Sequence, residues 1–281
     1  MRSGTIRRPP LIRALRGLAL ALIVVWSAFP IALVVASSFK PPRDIFVYPP
    51  SWLFSPTISN YVGLWQRWPD FFSNLINSLI ITLGATAVAV LSSTLAGWVY
   101  SRYRGRMLTF SAFFMIFIRL IPPIVITLPL FPVVNWLRLN DTHLVLILLY
   151  ATFFVSLGTM IMKTFIDQIP RELDEAAVVD GATAWQTVTR VVLPLAAQGM
   201  IAAGVFVFVY AWNEFLFAFI FTTTRAKTAP LVVSEMTGAV DGVEWGVLFA
   251  ATTLQLVPIV LFVIIAQRYL IAGLTAGATK G

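Results

Sequence analysis

Two ionisable side chains, Arg119 and Glu214, stand inside long apolar runs of the sequence. A charge in hydrocarbon is costly, so such residues mark pathways, relays or internal pairs. Arg119 lies about 11 residues into its run, roughly 16 Å deep at the helical rise, and Glu214 about 7 residues from the outer end of its own, roughly 11 Å deep. The opposite charges could pair across a bundle, or each could face a path or a second chain. Tyr210, Trp212, Asn213 and Phe215 surround Glu214 in sequence. Aromatic residues at helical spacing serve packing more often than a path. Asn74, Asn77 and Ser78 put polar groups at the start of another run, where capping and interhelical hydrogen bonding compete with lining a path. The candidate path residues are therefore Asn77, Arg119, Tyr210, Trp212, Asn213 and Glu214.

Other chemistries are excluded early. There is no cysteine, so disulfides, thiolate metal sites and thiol nucleophiles are out of reach. The single histidine, His143, makes no multi-histidine metal site and, beside Asp141 and Thr142, receives no role. No catalytic residue and no metal ligand is expected. The chain also carries no G-x-x-x-x-G-K-[ST] phosphate loop.

The elements that must position these residues follow from composition. Of 281 residues, 59% are hydrophobic and 11% charged, and the mean hydropathy is +0.87. A soluble domain carries about 25% charged residues, so a water-soluble globule, a disordered chain and a nucleic-acid-binding domain are all excluded. Six stretches are long and apolar enough to cross a bilayer, at about Leu15–Val35, Leu75–Trp98, Leu108–Val134, Leu144–Met162, Val191–Phe221 and Val247–Ala266. The fifth is longer than one crossing needs, and predicts a tilt or an interfacial turn near Pro194. Pro122, Pro123, Pro129 and Pro132 predict a kinked or broken third span. The first run exceeds the apolar core of a cleavable signal and is taken as an uncleaved span.

The net charge of +8 is a topology signal. With both termini inside, the cytoplasmic segments hold thirteen basic residues and the outer ones six. That asymmetry predicts a multi-pass protein with both termini cytoplasmic. The chain then divides into an N-terminal tail over 1–14, a transmembrane domain over 15–267 with an inner loop over 163–190, and a C-terminal tail over 268–281. Phe39–Phe71 and Thr222–Gly246 are the long outer segments. The first is rich in proline and tryptophan, which suits a membrane-hugging loop or a docking surface for an external partner.

The inner loop is the most informative stretch. Pro170 suits a first helical position. Glu172, Asp174 and Glu175 follow where acids favour the positive end of a helix dipole. Gly181 suits a C-terminal cap, and Thr183 with Gln186 fits a capping box for a second helix. The pattern predicts a helix of about 11 residues, a glycine turn and another short helix, with Ala176 and Ala177 leaving room for a close surface.

Glu175-Ala176-Ala177, three residues, Gly181, nine residues, Val191, one residue, Leu193-Pro194 resembles the EAA motif of ABC importer permeases, with Val191 in place of isoleucine. Ile169–Leu173, Trp212–Phe215, Arg119–Pro123, Asn74–Ser78 and the tail from Gln267 resemble the carbohydrate-importing branch, the permeases similar to the second maltose permease subunit. Gln198 departs from a common proline there. The resemblance implies an all-α type I importer permease fold in a bacterial plasma membrane. It implies a pair with a second homologous permease, two ATPase subunits below and a sugar-binding protein outside, set in membrane lipid and with no nucleic acid. ATP and Mg would be bound by the ATPases, and this chain would carry no cofactor and no enzyme activity. Glu172, Asp174, Glu175, Ala176, Ala177, Asp180, Gly181, Leu193 and Pro194 would couple the chain to an ATPase. Gly273, Gly277 and Gly281 would leave an extensible tail at the same interface. The cargo implied is a carbohydrate moved by alternating access. A glycerophosphodiester or polyol is the alternative cargo. An ion-gradient-driven transporter or an enzyme on lipid-linked sugars is the alternative class, for which Glu214 alone offers an intramembrane carboxylate.

Overall fold

The computed structural model describes residues 10–240 and 242–278. Arg2, Arg7 and Arg8 of the basic leader, and Lys280 and Gly281 of the tail, lie outside the described residues. In chain order the helices are α1 (Pro10–Ser38), α2 (Ser59–Arg67), α3 (Phe71–Arg102), α4 (Arg106–Phe117), α5 (Pro123–Trp136), α6 (His143–Ile166), α7 (Glu172–Val179), α8 (Ala184–Thr187), α9 (Leu193–Leu195), α10 (Ala197–Trp212), α11 (Leu216–Phe221), α12 (Ala229–Thr237) and α13 (Trp245–Ala278). Among the described residues there is no strand, so the fold is all-α.

Four helices are long and apolar enough to cross a bilayer unaided, and two bent pairs bring the number to six if each is one span. The first pair is α4 with its terminal turn Ile118–Leu120, followed by α5, bent by 98°. Pro122 and Pro123 lie at the break and lack the N–H groups that would continue α4. The second pair is Ala184–Leu195 followed by α10, bent by 76°. Pro194 cannot donate to the carbonyl one turn back, and the preceding residues Val188–Val192 widen into a π-turn. α13 runs on to Ala278, past the expected tail boundary at 268. Gly273 and Gly277 therefore lie within a helix rather than in an extended tail.

Packing sorts the chain into two units, residues 1–69 with 236–254, and 70–235 with 255–281. In the first, the apolar stretch of α1 buries nothing against this chain, so lipid or another subunit must cover it. Asn60 on α2 closes the end of α1, its Nδ2 donating to the carbonyls of Ser38, the last residue of that helix, and of Lys40 just beyond it, at 2.8 Å each. Arg67 forms an ion pair with Glu244.

The second unit is built around α3, α6 and α10. α3 crosses α6 so closely at Gly97 that a Cβ there would stand 2.9 Å from the backbone nitrogen of Lys163. Small residues permit such approach where no hydrophobic effect drives helices together. Ser93 Oγ donates across the same contact to the Val155 carbonyl at 3.0 Å.

The loop after α11 is fastened to the first turns of α3 and α6. Asp141, at φ 58°, accepts hydrogen bonds from the backbone N–H groups of Thr223, Thr224, Arg225 and Ala226 at 3.0–3.2 Å. The Thr224 hydroxyl adds another at 2.9 Å. Asn77 Nδ2 donates to the carbonyls of Arg225 and Lys227 at 2.8 and 3.1 Å, and its Oδ1 accepts from His143 Nε2 at 2.7 Å. Ser78 Oγ accepts from Ala229 N–H at 2.7 Å. His143 thus gains a role that the sequence withheld, and Asn77 has both ends of its amide engaged in this latch instead of facing a path. Partial burial works to raise the Asp141 pKa. The donors of Arg225, Ala226, Thr223 and Thr224 outweigh it and hold the carboxyl well below the usual range.

Asp141→Ala leaves these donors without their acceptor and is expected to cost about 1–3 kcal/mol, read as a lower unfolding midpoint in detergent at neutral pH. Asp141→Asn retains one acceptor oxygen and should lose less. Because the folded carboxyl titrates lower than the unfolded one, its contribution is present above the ordinary carboxylate range and is lost as pH falls through the folded value. The gap between wild type and Asp141→Asn should therefore narrow in acid.

Candidate functional site

The inner loop forms a helix, a glycine turn and a helix. α6 ends at Ile166, where Asp167 pairs with Lys163 at 2.6 Å. Partial burial works to raise the Asp167 pKa, but Lys163, with help from Ser101 and Arg102, lowers it overall. α7 is shorter than expected, at eight residues, and Pro170 does not open it. Arg171 is the N-cap and Pro170 precedes it. Glu172, Asp174 and Glu175 do fall in the first turn.

The exit from α7 is a Schellman turn. Gly181 N–H donates to the Val178 carbonyl at 3.0 Å and Ala182 N–H to the Ala177 carbonyl at 2.9 Å. Gly181 holds φ +83°, and nothing lies within 4 Å of where its Cβ would be. The requirement at this position is thus a backbone conformation, not space. α8 opens with both halves of the capping box, Thr183 N–H to Gln186 Oε1 at 2.8 Å and Gln186 N–H to Thr183 Oγ1 at 3.3 Å.

What fixes this loop to the spans is Arg102, at the last residue of α3. Its Nε donates to the Asp174 carboxylate. Its terminal nitrogens reach the carbonyls of Ile166 at 3.3 Å and Ile169 at 3.1 Å. The two side chains are only 8% and 14% exposed. Arg171 adds a bond from Nη2 to the Ser101 carbonyl at 2.7 Å. Asp174, which the resemblance gives to ATPase coupling, points back into the chain, where a buried guanidinium needs its carboxylate. Arg102 was counted only for orientation. An arginine at a helix end is too common for sequence alone to assign it this partner, 72 residues away.

With Asp174 turned inward, the other side of α7 is open. Glu172, Leu173, Glu175, Ala176, Val178 and Asp180 are exposed, Val179 is 86% exposed and Trp185 on α8 is 64% exposed. This is an apolar patch flanked by acids, formed by helices that bury little of their own surface. Ala177 is half-buried. Leu193 and Pro194 lie apart from that patch, on α9 at the bend into α10, beside the buried Val192 and Ala196.

The path candidates are scattered. Trp212 is buried, stacks on Phe208 and donates from Nε1 to the Gln255 carbonyl at 3.2 Å, so it packs rather than faces a cavity. Tyr210 is half-exposed and stacks on Phe154. Asn213 is exposed, with Nδ2 on the Val209 carbonyl at 2.8 Å. Glu214 bends back over the start of α11, accepting from Phe217 N–H at 2.9 Å and Ala218 N–H at 3.4 Å. The buried Tyr150 hydroxyl lies against its carboxylate without closing a hydrogen bond. Arg119 sits in the turn between α4 and α5, at a 230 Å³ cavity lined mainly by apolar groups such as Phe114, Leu149 and Phe217, with the hydroxyl residues Thr152 and Ser156. Among the described residues no ion pair joins Arg119 to Glu214.

Residues 89–275 match the family described as "Binding-protein-dependent transport system inner membrane component". The chain is 36% identical to the trehalose transport system permease protein SugB of Mycobacterium tuberculosis, over 92% of this chain and 95% of that protein. It is 32% identical to the trehalose/maltose transport system permease protein MalG of Thermococcus litoralis, over 98% of this chain and the whole of the other. In fold it is similar to a chain of a bacterial ABC transporter involved in the import of the acidic polysaccharide alginate. That likeness has a TM-score of 0.74 and 18% identity, covering 94% of this chain and 98% of that one.

Removing one member of the Arg102–Asp174 pair strands the other, and is expected to cost about 2–4 kcal/mol locally. Asp174→Ala should therefore speed amide exchange over residues 170–181 while leaving exchange in mid-α3 unchanged. An unchanged loop would show that the pair does not hold it. At Gly181, Asn tolerates the left-handed conformation and Val does not. Gly181→Asn should keep the loop ordered, whereas Gly181→Val should loosen it by the same exchange measurement.

Proposed function

The chain belongs to the binding-protein-dependent transport system inner membrane components, and from that premise we propose that it is the permease subunit of an ATP-driven importer of a carbohydrate. The observation that carries this reading is the open apolar face of α7 and α8, rooted on α3 and α6 by Arg102. A short helix held firmly at its base and bare on its outer side is built to receive a push from another subunit.

In this reading two ATPase subunits bind ATP and Mg. One of them seats α7 through Leu173, Ala176, Val178 and Val179, with Glu172, Glu175 and Asp180 at the margin. The chain itself performs no catalysis. It pairs with a second homologous permease, and a sugar-binding protein delivers cargo from outside. The loop and both termini face the cytoplasm of a bacterial cell. Closure of the ATPases moves α7. Arg102, Asp174 and the Arg171–Ser101 bond pass that movement to the ends of α3 and α6, which are packed on α10. The spans then alternate between inward-facing and outward-facing access. Relatives named for trehalose and maltose transport favour a sugar as cargo. One observation favours an anionic cargo such as a glycerophosphodiester instead. Arg119 has no acidic partner in this chain among the described residues, and a cation left single in a membrane span calls for a counter-charge.

The reading is tested by uptake of labelled trehalose or maltose into vesicles holding the purified assembly and its binding protein. Uptake should continue with ATP inside and all ion gradients collapsed, and should stop without ATP. Val179→Asp, which puts a charge at the centre of the proposed seat, should reduce uptake at least tenfold, the effect of about 1.4 kcal/mol, while the protein still inserts. Uptake that follows an ion gradient, and ignores ATP, would overturn it.

A further inference from the structure

A cleft of about 940 Å³ opens at the end of the helices that carries α7. Its walls are the last turn of α3, one side of α4 from Leu108 to Ile116, the end of α6 and residues 167–172. The lining changes character along α4. Arg104 and Tyr103 stand at the mouth with Lys163, and Leu108, Phe113 and Ile116 follow up the helix into the apolar run. α4 is braced on α3 by Tyr100, whose hydroxyl lies 2.8 Å from Ser111 Oγ and reaches Met115 Sδ at 3.5 Å.

The charges at the mouth are unequally committed. Arg102 is taken up by Asp174 and two carbonyls, Arg171 by the Ser101 carbonyl, and Lys163 shares Asp167. Arg104 is exposed and, among the described residues, forms no ion pair. Glu172, on the rim, is the acid left without a cation. One uncommitted basic group, Arg104, thus stands with a tyrosine and with Lys163, which shares Asp167, over an apolar channel, and Glu172 lies on the same lining. A free anion would use only the first part of this site and a neutral lipid only the second.

We propose that this cleft binds an anionic phospholipid. The headgroup phosphate sits on Arg104 with Lys163 beside it, Tyr103 lies at headgroup level, and one acyl chain runs along Leu108, Phe113 and Ile116. Basic pockets between membrane helices on the cytoplasmic side suit such lipids, and the depth of the tyrosine suits an interfacial aromatic. The inference rests on the membrane orientation of the proposed importer. Its occupant would fill the space at the root of α7, next to the Arg102 clamp.

The test uses the full-length chain in phosphatidylcholine vesicles, with a trace of phosphatidylglycerol or, in parallel, phosphatidylcholine carrying a photoactivatable group on the acyl chain. Phosphatidylglycerol should label residues 105–117 about fivefold more than phosphatidylcholine, the effect expected of one basic contact near the surface. Arg104→Glu should abolish that preference, and Ala112→Trp, which fills the channel, should reduce labelling by both lipids. Labelling of α1 by phosphatidylcholine, unchanged in both variants, reports that they are still inserted. Equal labelling by the two lipids, an Arg104→Glu variant that keeps the preference, or loss of labelling once the partner subunits are assembled would each overturn the proposal. The last would make the cleft a subunit seam. Labelling requires no transport, so its failure leaves the importer reading untouched, and failure of ATP-driven uptake leaves the labelling result standing.

Discussion

The ion pair between Arg102 and Asp174 is the constraint on which the inner face depends. Without it α7 would be an eight-residue helix with no buried residue of its own. Helices that short are not stable in water by themselves. Its three first-turn acids, its Schellman turn and the capping box after it set its ends, yet none of these attaches it to the rest of the chain. Arg102 does, because one guanidinium joins the end of α3 that carries it, the last carbonyl of α6 at Ile166, the Ile169 carbonyl of the loop, and α7. The planar fork of donors on arginine suits this task, and a lysine would reach fewer of the acceptors. Partial exclusion of water strengthens the pair. It also makes the pair unforgiving, since either partner alone would be a half-buried charge.

The opposite ends of the same two helices are held by different chemistry. There Asp141 gathers successive backbone N–H groups from the loop after α11, and Asn77 and His143 close the carbonyl side. α3 and α6 are thereby fastened at both ends and pressed together between them at Gly97. The latch at Asp141 relies on charge-assisted hydrogen bonds from backbone N–H groups to one partly exposed carboxylate, whereas the clamp at Arg102 relies on a charge pair with little exposure. The inner joint is accordingly the more sensitive of the two to the loss of a single side chain.

Much of this was legible in advance for identifiable reasons. Apolar runs of bilayer length are a strong signal, and six of them correspond to four long helices and two bent pairs. Pro122 and Pro123 foretold one break, and Pro194 the other, because a missing N–H is a local fact. Gly181, Thr183 and Gln186 foretold the turn and the cap for the same reason. What stayed hidden depends on contacts far apart in the chain. Arg102 and Asp174 are 72 positions apart, and Asn77 and Arg225 148. Periodicity says which face of a helix is apolar but not which polar group turns inward. That is why Asp174 reads in the sequence as one of a group of coupling acids, and why Asn77 and Trp212 read as path candidates. α12 was missed because a nine-residue helix in an outer segment leaves too short a pattern.

The broken fifth span shows how an intramembrane carboxylate can be structural. α10 ends at Trp212 and α11 begins at Leu216, so the first N–H groups of α11 are left without helical partners. In hydrocarbon each such group costs several kcal/mol if nothing accepts it. Glu214 accepts from Phe217 and Ala218, two of those groups, with the negative charge at the positive end of the short helix. The same break leaves Asn213 exposed beside it and Tyr150 against the carboxylate. A helix interrupted in this way is tolerated only where protein or water surrounds the freed backbone. Arg119 stands at the other broken span, at its own bend, without a carboxylate to match it. The two intramembrane charges therefore do not complete each other. Glu214 already serves the first N–H groups of α11, and among the described residues no carboxylate forms an ion pair with Arg119.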